Sequence, residues 1–169
     1  YLGEIDGAIG DGDHGVNMNK GFSFYEERHG AEAADVPTAF KNLSQILMGE
    51  IGGSMGPIYG KFFRGMFRAA KGHDPIDAGV FLQMLKDARD GVAEIGEAKQ
   101  GDKTLMDTLI PAVDDFESAM SGGGDFAACL EAMKAAAKTG WESTKDMQAR
   151  IGRSARLGER SIGVLDADG

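Results

Sequence analysis

The sequence predicts an all-α fold, and three observations lead there. Apolar residues recur at helical spacing along most of the chain, no stretch alternates polar and apolar residues between turns, and clusters of glycine separate the periodic stretches. A short first helix carries Asp6, and a second begins near Gly15. Behind Pro37, the residues Phe40, Leu43, Ile46, Leu47 and Ile51 line one face of a third. A fourth helix follows the glycine loop that starts at Gly52. Val80, Met84, Leu85, Ala88, Val92 and Ile95 mark a fifth, which is expected to start near Pro75 with Asp74 as its cap. Thr104 to Met120 forms a sixth stripe. Phe126, Leu130, Met133, Ala137 and Trp141, spaced by four, three, four and four residues, form a seventh. With no repeat, low-complexity tract or linker in view, residues 1–169 are expected to form a single helical domain.

Composition narrows the function classes. The chain has 169 residues, enough to bury a core, and 42% of them are hydrophobic. A formal net charge of -9 argues against nucleic acid or an anionic membrane as partner. A protein this acidic binds phosphates only through metal ions or a local cationic site, so clustered carboxylates become the residues to inspect. The single cysteine, Cys129, lies in an apolar helical stretch and reads as a packing residue. No run of about 18 apolar residues and no signal peptide is visible, so a cytoplasmic location is expected.

Twenty-six glycines are about twice the usual proportion. Helix capping accounts for Gly30, Gly72 and the triplet beginning at Gly122. It does not account for clusters that also carry Asp, His, Asn, Ser and Arg. The richest of these is Asp6-Gly-Ala-Ile-Gly-Asp11-Gly-Asp13-His14-Gly15-Val16-Asn17. Asp11 and Asp13 occupy alternate positions of a turn and can point the same way, and Asp6 can reach the same place from the end of its helix. Three crowded carboxylates need a cation. Hard oxygen donors with room for water and phosphate oxygens suit Mg²⁺ better than Zn²⁺. The helix that begins at Gly15 directs free N–H groups towards an anion. A Mg-nucleotide site is the expectation; a solvated acidic turn is the bland alternative.

Other motifs fail on the letters. Gly10 to Gly15 matches G-x-G-x-x-G, but no apolar strand precedes it, and a pyrophosphate would meet two unneutralised aspartates. An EF-hand loop starting at Asp11 would have Val16 and Phe22 where Gly and Glu are required. A Walker loop would need Ser or Thr after Gly60-Lys61, where Phe62 stands. Three further loops remain. Gly52 to Gly60 offers amides and the Ser54 hydroxyl to a phosphate, or else lines a close helix crossing. Gly101-Asp102-Lys103-Thr104 opens a helix, with Asp102 as a plain N-cap. Gly152 to Asp166 is too polar for a core, and its arginines are natural cations for phosphate.

In this order the four loops closely resemble the L subunit, or L domain, of the dihydroxyacetone kinase family. The matching stretches are IDGAIGDGDHGVNMNKGF, IGGSMGPIYGKFF, GDKTLMDTLIPA and MQARIGRSARLGERSIG, and the likeness runs from Leu2 to about Asp166. The resemblance implies an up-and-down barrel or bundle of about eight amphipathic helices with nucleotide at one end. The family's first helix would be incomplete before Tyr1, and its last would follow Gly169. It implies two Mg²⁺ ions on Asp6, Asp11 and Asp13, bridging the phosphates of ADP or ATP. It implies nucleotide contacts at His14, Gly15, Val16 and Asn17, at Ser54 and Met55 in the phosphate loop, and at Gly96, Thr104 and Leu105 near base and sugar. Arg153 and Asp166 would belong to the closing lid.

The chain departs from the family at two points. Asp166-Ala167-Asp168-Gly169 replaces the usual Asp-Pro-Gly-Ala, so Asp168 is expected to be repulsive in the lid, and Ser-Met-Gly at Ser54 to Gly56 lacks one hydroxyl. GDHG rather than GDTG points away from the fatty-acid kinase branch. The resemblance implies phosphoryl transfer to a ketose, dihydroxyacetone or a ketotetrose, held on a separate K subunit. The phosphoryl group comes from ATP directly, or from a phosphotransferase-system protein that recharges resident ADP. A nucleotide-loaded regulatory module without catalysis is the alternative, and homodimer formation is left open.

Overall fold

The computed structural model describes all of residues 1–169, and every regular element is helical, as the periodicity requires. The α-helices are α1 (Leu2–Ile9), α2 (His14–His29), α3 (Val36–Glu50), α4 (Met55–Ala70), α5 (Ala78–Gly96), α6 (Met106–Ser121) and α7 (Phe126–Ser143). Two 3-10 segments follow, Thr144–Asp146 and Ser154–Ser161. No helix is long and apolar enough to cross a membrane. The chain forms two compact units: Tyr1–Asp13 with Gly96–Gly169, and His14–Ile95.

In the unit His14–Ile95, local signals set the helix starts. The Asp35 carboxylate accepts the Thr38 N–H at 2.8 Å, and Pro37 occupies the first turn of α3, where a missing N–H costs nothing. For α5 the expected start needs correction. The helix begins at Ala78, and Asp77, not Asp74, caps it by accepting the Val80 N–H at 2.8 Å. Leu43, Leu47, Ile51 and Met55 form one core cluster, with Met18, Tyr25, Tyr59 and Phe63 packed against it. Met66, Ala70, Met84 and Ala88 form a second across α4 and α5. Full burial of each large apolar side chain is worth about 2 kcal/mol, so each cluster contributes several kcal/mol of hydrophobic stabilisation.

Glycine lets these helices approach. A Cβ on Gly60 would lie 2.1 Å from Met48 Cγ, and one on Gly65 would lie 2.3 Å from the Asp87 carbonyl oxygen. Gly56 would meet the Ile51 carbonyl at 2.2 Å. For Gly56 and Gly60 the close-crossing reading of the second glycine loop is therefore correct: both lie inside α4. Gly52 and Gly53 have open space around them, and only they and Ser54 are loop.

In the other unit, α6 packs along α7, with Phe116 and Phe126 edge to face at 6.0 Å. Pro111 sits inside α6 and has no N–H for the Asp107 carbonyl four residues earlier. Gly140 of α7 packs directly on that carbonyl, where a Cβ would come within 2.1 Å of the oxygen. Cys129 is fully buried, as its apolar surroundings predict. Gly123, with φ of 86°, turns the chain after α6, and Asp125 caps α7 by accepting the Ala128 N–H.

Candidate functional site

The acidic loop is built against α1. Asp6 lies in that helix, and Asp11 and Asp13 lie in the turn after it. Two glycines fold the turn back. Gly12 has φ of 76°, a left-handed conformation that favours glycine. A Cβ on Gly10 would overlap the Asp6 carboxylate, 2.1 Å from Oδ1. The alternation Asp-Gly-Asp therefore serves the turn as well as the donors. One carboxylate oxygen from each of Asp6, Asp11 and Asp13 falls within 4.8 Å of the others. Asp6 is half-buried, while Asp11 and Asp13 are exposed.

These donors fit Mg²⁺. All three are hard anionic oxygens, close enough to share cations and open enough to leave coordination positions for water or phosphate. Arg153 reaches the same group and pairs with Asp11. The sequence reading placed Arg153 in a polar segment near phosphate; the fold carries its guanidinium onto the acidic loop itself.

Other expected site residues can be followed within their own units. His14 opens α2, is buried, and stands edge to face against Tyr59 at 6.1 Å. Gly15, Val16 and Asn17 follow it in the first turn, with the Val16 side chain exposed. Ser54 is exposed at the start of α4. The Met55 side chain is core, packed with Leu43, Leu47 and Ile51, which leaves its backbone amide as the group at the helix start. Gly96 ends α5 and is exposed.

Thr104 and Leu105 lead into α6, and here the expected cap is corrected. Asp102 accepts the Lys99 N–H at 2.9 Å and caps nothing in α6. Asp107 instead turns back, one oxygen accepting the Gly101 N–H at 2.5 Å and the other the Thr104 N–H at 2.9 Å. Thr104 Oγ1 accepts the Met106 N–H at 3.2 Å, which completes a reciprocal pair of capping-box type. Thr104-Leu-Met-Asp107 has the spacing that signals such a box, so this arrangement was legible in the letters.

Lys103 was missed. It is buried to 1% exposure, and its ammonium donates to the carbonyls of Met147 (3.3 Å), Ser161 (2.6 Å) and Val164 (2.5 Å). A lysine between a glycine and a helix start reads as surface, and no local pattern marks it otherwise.

Asp166 is also buried. Its N–H donates to Thr144 Oγ1 at 2.9 Å, and its carbonyl accepts the Trp141 indole N–H at 2.9 Å. Oδ2 of its carboxyl has no hydrogen-bond partner. Burial, then the nearby Asp168 and Asp107 carboxylates, push this carboxyl up to about 8, with a hydrogen bond from the Asp168 N–H and the Lys103 charge opposing.

The family model of the DAK2 domain matches residues 8–169. The chain is similar to the ADP-binding subunit DhaL of the PEP-dependent dihydroxyacetone kinase of Escherichia coli (strain K12), with 39% identity over 98% of this chain and 80% of that one. It is 33% identical to the ADP-binding subunit DhaL of the PTS-dependent dihydroxyacetone kinase of Lactococcus lactis, over 98% and 79% of the two chains. The D-erythrulose kinase of Mycolicibacterium smegmatis is 29% identical over 98% of this chain, which spans 29% of that longer protein.

Proposed function

Because the chain belongs to the DAK2 domain family, we propose that it is the nucleotide-binding, phosphoryl-transfer subunit of a dihydroxyacetone-type kinase. The convergence of Asp6, Asp11 and Asp13 supports this reading most directly, since it supplies the cation site that an acidic protein needs to hold a polyphosphate. In this proposal the three aspartates hold two Mg²⁺ ions, which when bound screen the phosphates of ADP or ATP. Asp6 orients the donor set from a helix, while Asp11 and Asp13 are fixed by the glycine turn. The helix start at His14 to Asn17 in α2, and that at Ser54 and Met55 in α4, would offer backbone N–H groups to phosphate oxygens. Gly96, Thr104 and Leu105 would border the base and sugar, and Asp166 would close the lid. Arg153 would leave Asp11 and pair with the phosphates of the bound nucleotide.

The acceptor would be a ketose, dihydroxyacetone or a ketotetrose, held by a separate K subunit in the cytoplasm. The names of the bacterial relatives favour resident ADP recharged by a phosphotransferase-system donor over direct use of ATP.

Calorimetric titration of Mg·ADP into Asp11→Asn and Asp13→Asn tests the reading. Both variants should lose nucleotide binding, by about a hundredfold or more, with helix content unchanged by circular dichroism. Wild-type affinity in either folded variant would refute the site.

A further inference from the structure

Lys103 does something the aspartate site alone does not explain. Its three N–H donors go to three carbonyls that bracket one stretch of chain: Met147 before it, Ser161 and Val164 after it. That stretch carries Arg153, whose guanidinium meets Asp11. We propose that Lys103 is a positioning residue, a clamp on both ends of the Arg153 segment that sets where the guanidinium stands over the acidic loop. The proposal rests on the phosphoryl-transfer reading of that loop.

Three features support it. A buried ammonium bonded to neutral carbonyls is a costly arrangement, and packing alone would be served better by an apolar side chain. Lys103 is also held in a left-handed conformation, φ 62°, which is unfavourable for a non-glycine residue. The Asp107 carboxylate fixes the backbone on both sides of it, through Gly101 and Thr104. Finally, the segment is tied across itself: Ser161 Oγ accepts the Ala149 N–H at 2.9 Å, and the Arg150 N–H reaches the Asp102 carbonyl at 3.1 Å. The start of α6, the lysine, the segment and the arginine thus form one mechanical series.

The test uses the full chain with Lys103→Met, Arg153→Ala and the double variant, each titrated with Mg·ADP. If Lys103 acts through Arg153, each single variant binds about tenfold more weakly, and the double variant is no more than about twofold weaker than Arg153→Ala alone. A merely structural lysine would lower the melting temperature without this non-additivity. Multiplied losses, or wild-type affinity in folded Lys103→Met, would overturn the proposal. Should Lys103→Met not fold, Lys103→Arg keeps the charge and is held to the same double-variant criterion.

Limited trypsin digestion without nucleotide reads the clamp independently of binding. Cleavage at Arg150, Arg153 and Arg156 should accelerate in Lys103→Met relative to cleavage at Lys20 and Arg28. Equal acceleration at all sites would overturn the clamp. A wild-type chain that fails to bind Mg·ADP would sink the function proposed above while this digestion still decides the clamp.

Discussion

Asp166 carries an electrostatic penalty that can be measured as a function of pH. Its folded-state carboxyl titrates at about 8, against 3.8 for the ordinary group, because it is buried beside Asp168 and Asp107. The folded chain therefore holds a proton there that the unfolded chain has released. Stability from this group is complete below about pH 4, falls as pH rises from about 4 to about 8, and is lost above that. Asp166→Asn keeps the shape and removes the titration. It should stabilise the chain at pH 8 by a few kcal/mol (~2 or more) and leave stability at pH 4 nearly unchanged, read from thermal midpoints across that range. Parallel midpoint curves for the two proteins would contradict this. Asp166 was singled out in the sequence because of a family motif; its burial was not legible. Its backbone is held by Trp141 and Thr144, over twenty residues away in the chain.

At the level of elements, the contact between α6 and α7 depends on two residues that look unrelated in the sequence. Pro111 leaves the Asp107 carbonyl without a helical donor, and Gly140 is the residue small enough to lie on it. Gly140→Ala would put a methyl against a backbone oxygen that cannot move without disturbing the start of α6. The expected cost is about 2–4 kcal/mol, seen as a lower denaturation midpoint with unchanged slope. Because Asp107 also holds Gly101 and Thr104, the same substitution should loosen the loop that presents Lys103. The helical stripes of α3, α5 and α7 were readable since burial repeats every three or four residues. The start of α5 was not, because Asp74-Pro75 and Asp77 are competing signals for the same end and only the backbone path selects Asp77.

For the whole molecule, ligand and metal should act together. On the function proposed here, a cation shared between the three carboxylates and a polyphosphate would bind the folded chain alone, so Mg·ADP at about a hundred times its dissociation constant should add about 2.7 kcal/mol of stability. EDTA should remove that gain, and ADP without metal should produce little of it, both read by thermal shift. With a K subunit and dihydroxyacetone present, the chain should support formation of ketose phosphate from a phosphoryl donor. Asp13→Asn should reduce that rate at least a hundredfold at saturating ketose.

The sequence by itself determined the helical class, the acidic loop and its likeness to a kinase subunit, because each depends on residues close together in the chain. Periodicity fixes a helix, and Asp-Gly-Asp fixes a turn with its donors. The tertiary structure decided the partners of the cationic and buried residues: Arg153 on Asp11, Lys103 on three carbonyls, and Asp166 in a slot with no partner for one oxygen. Those pairings join segments tens of residues apart, where energy depends on distance through space and not on spacing along the chain.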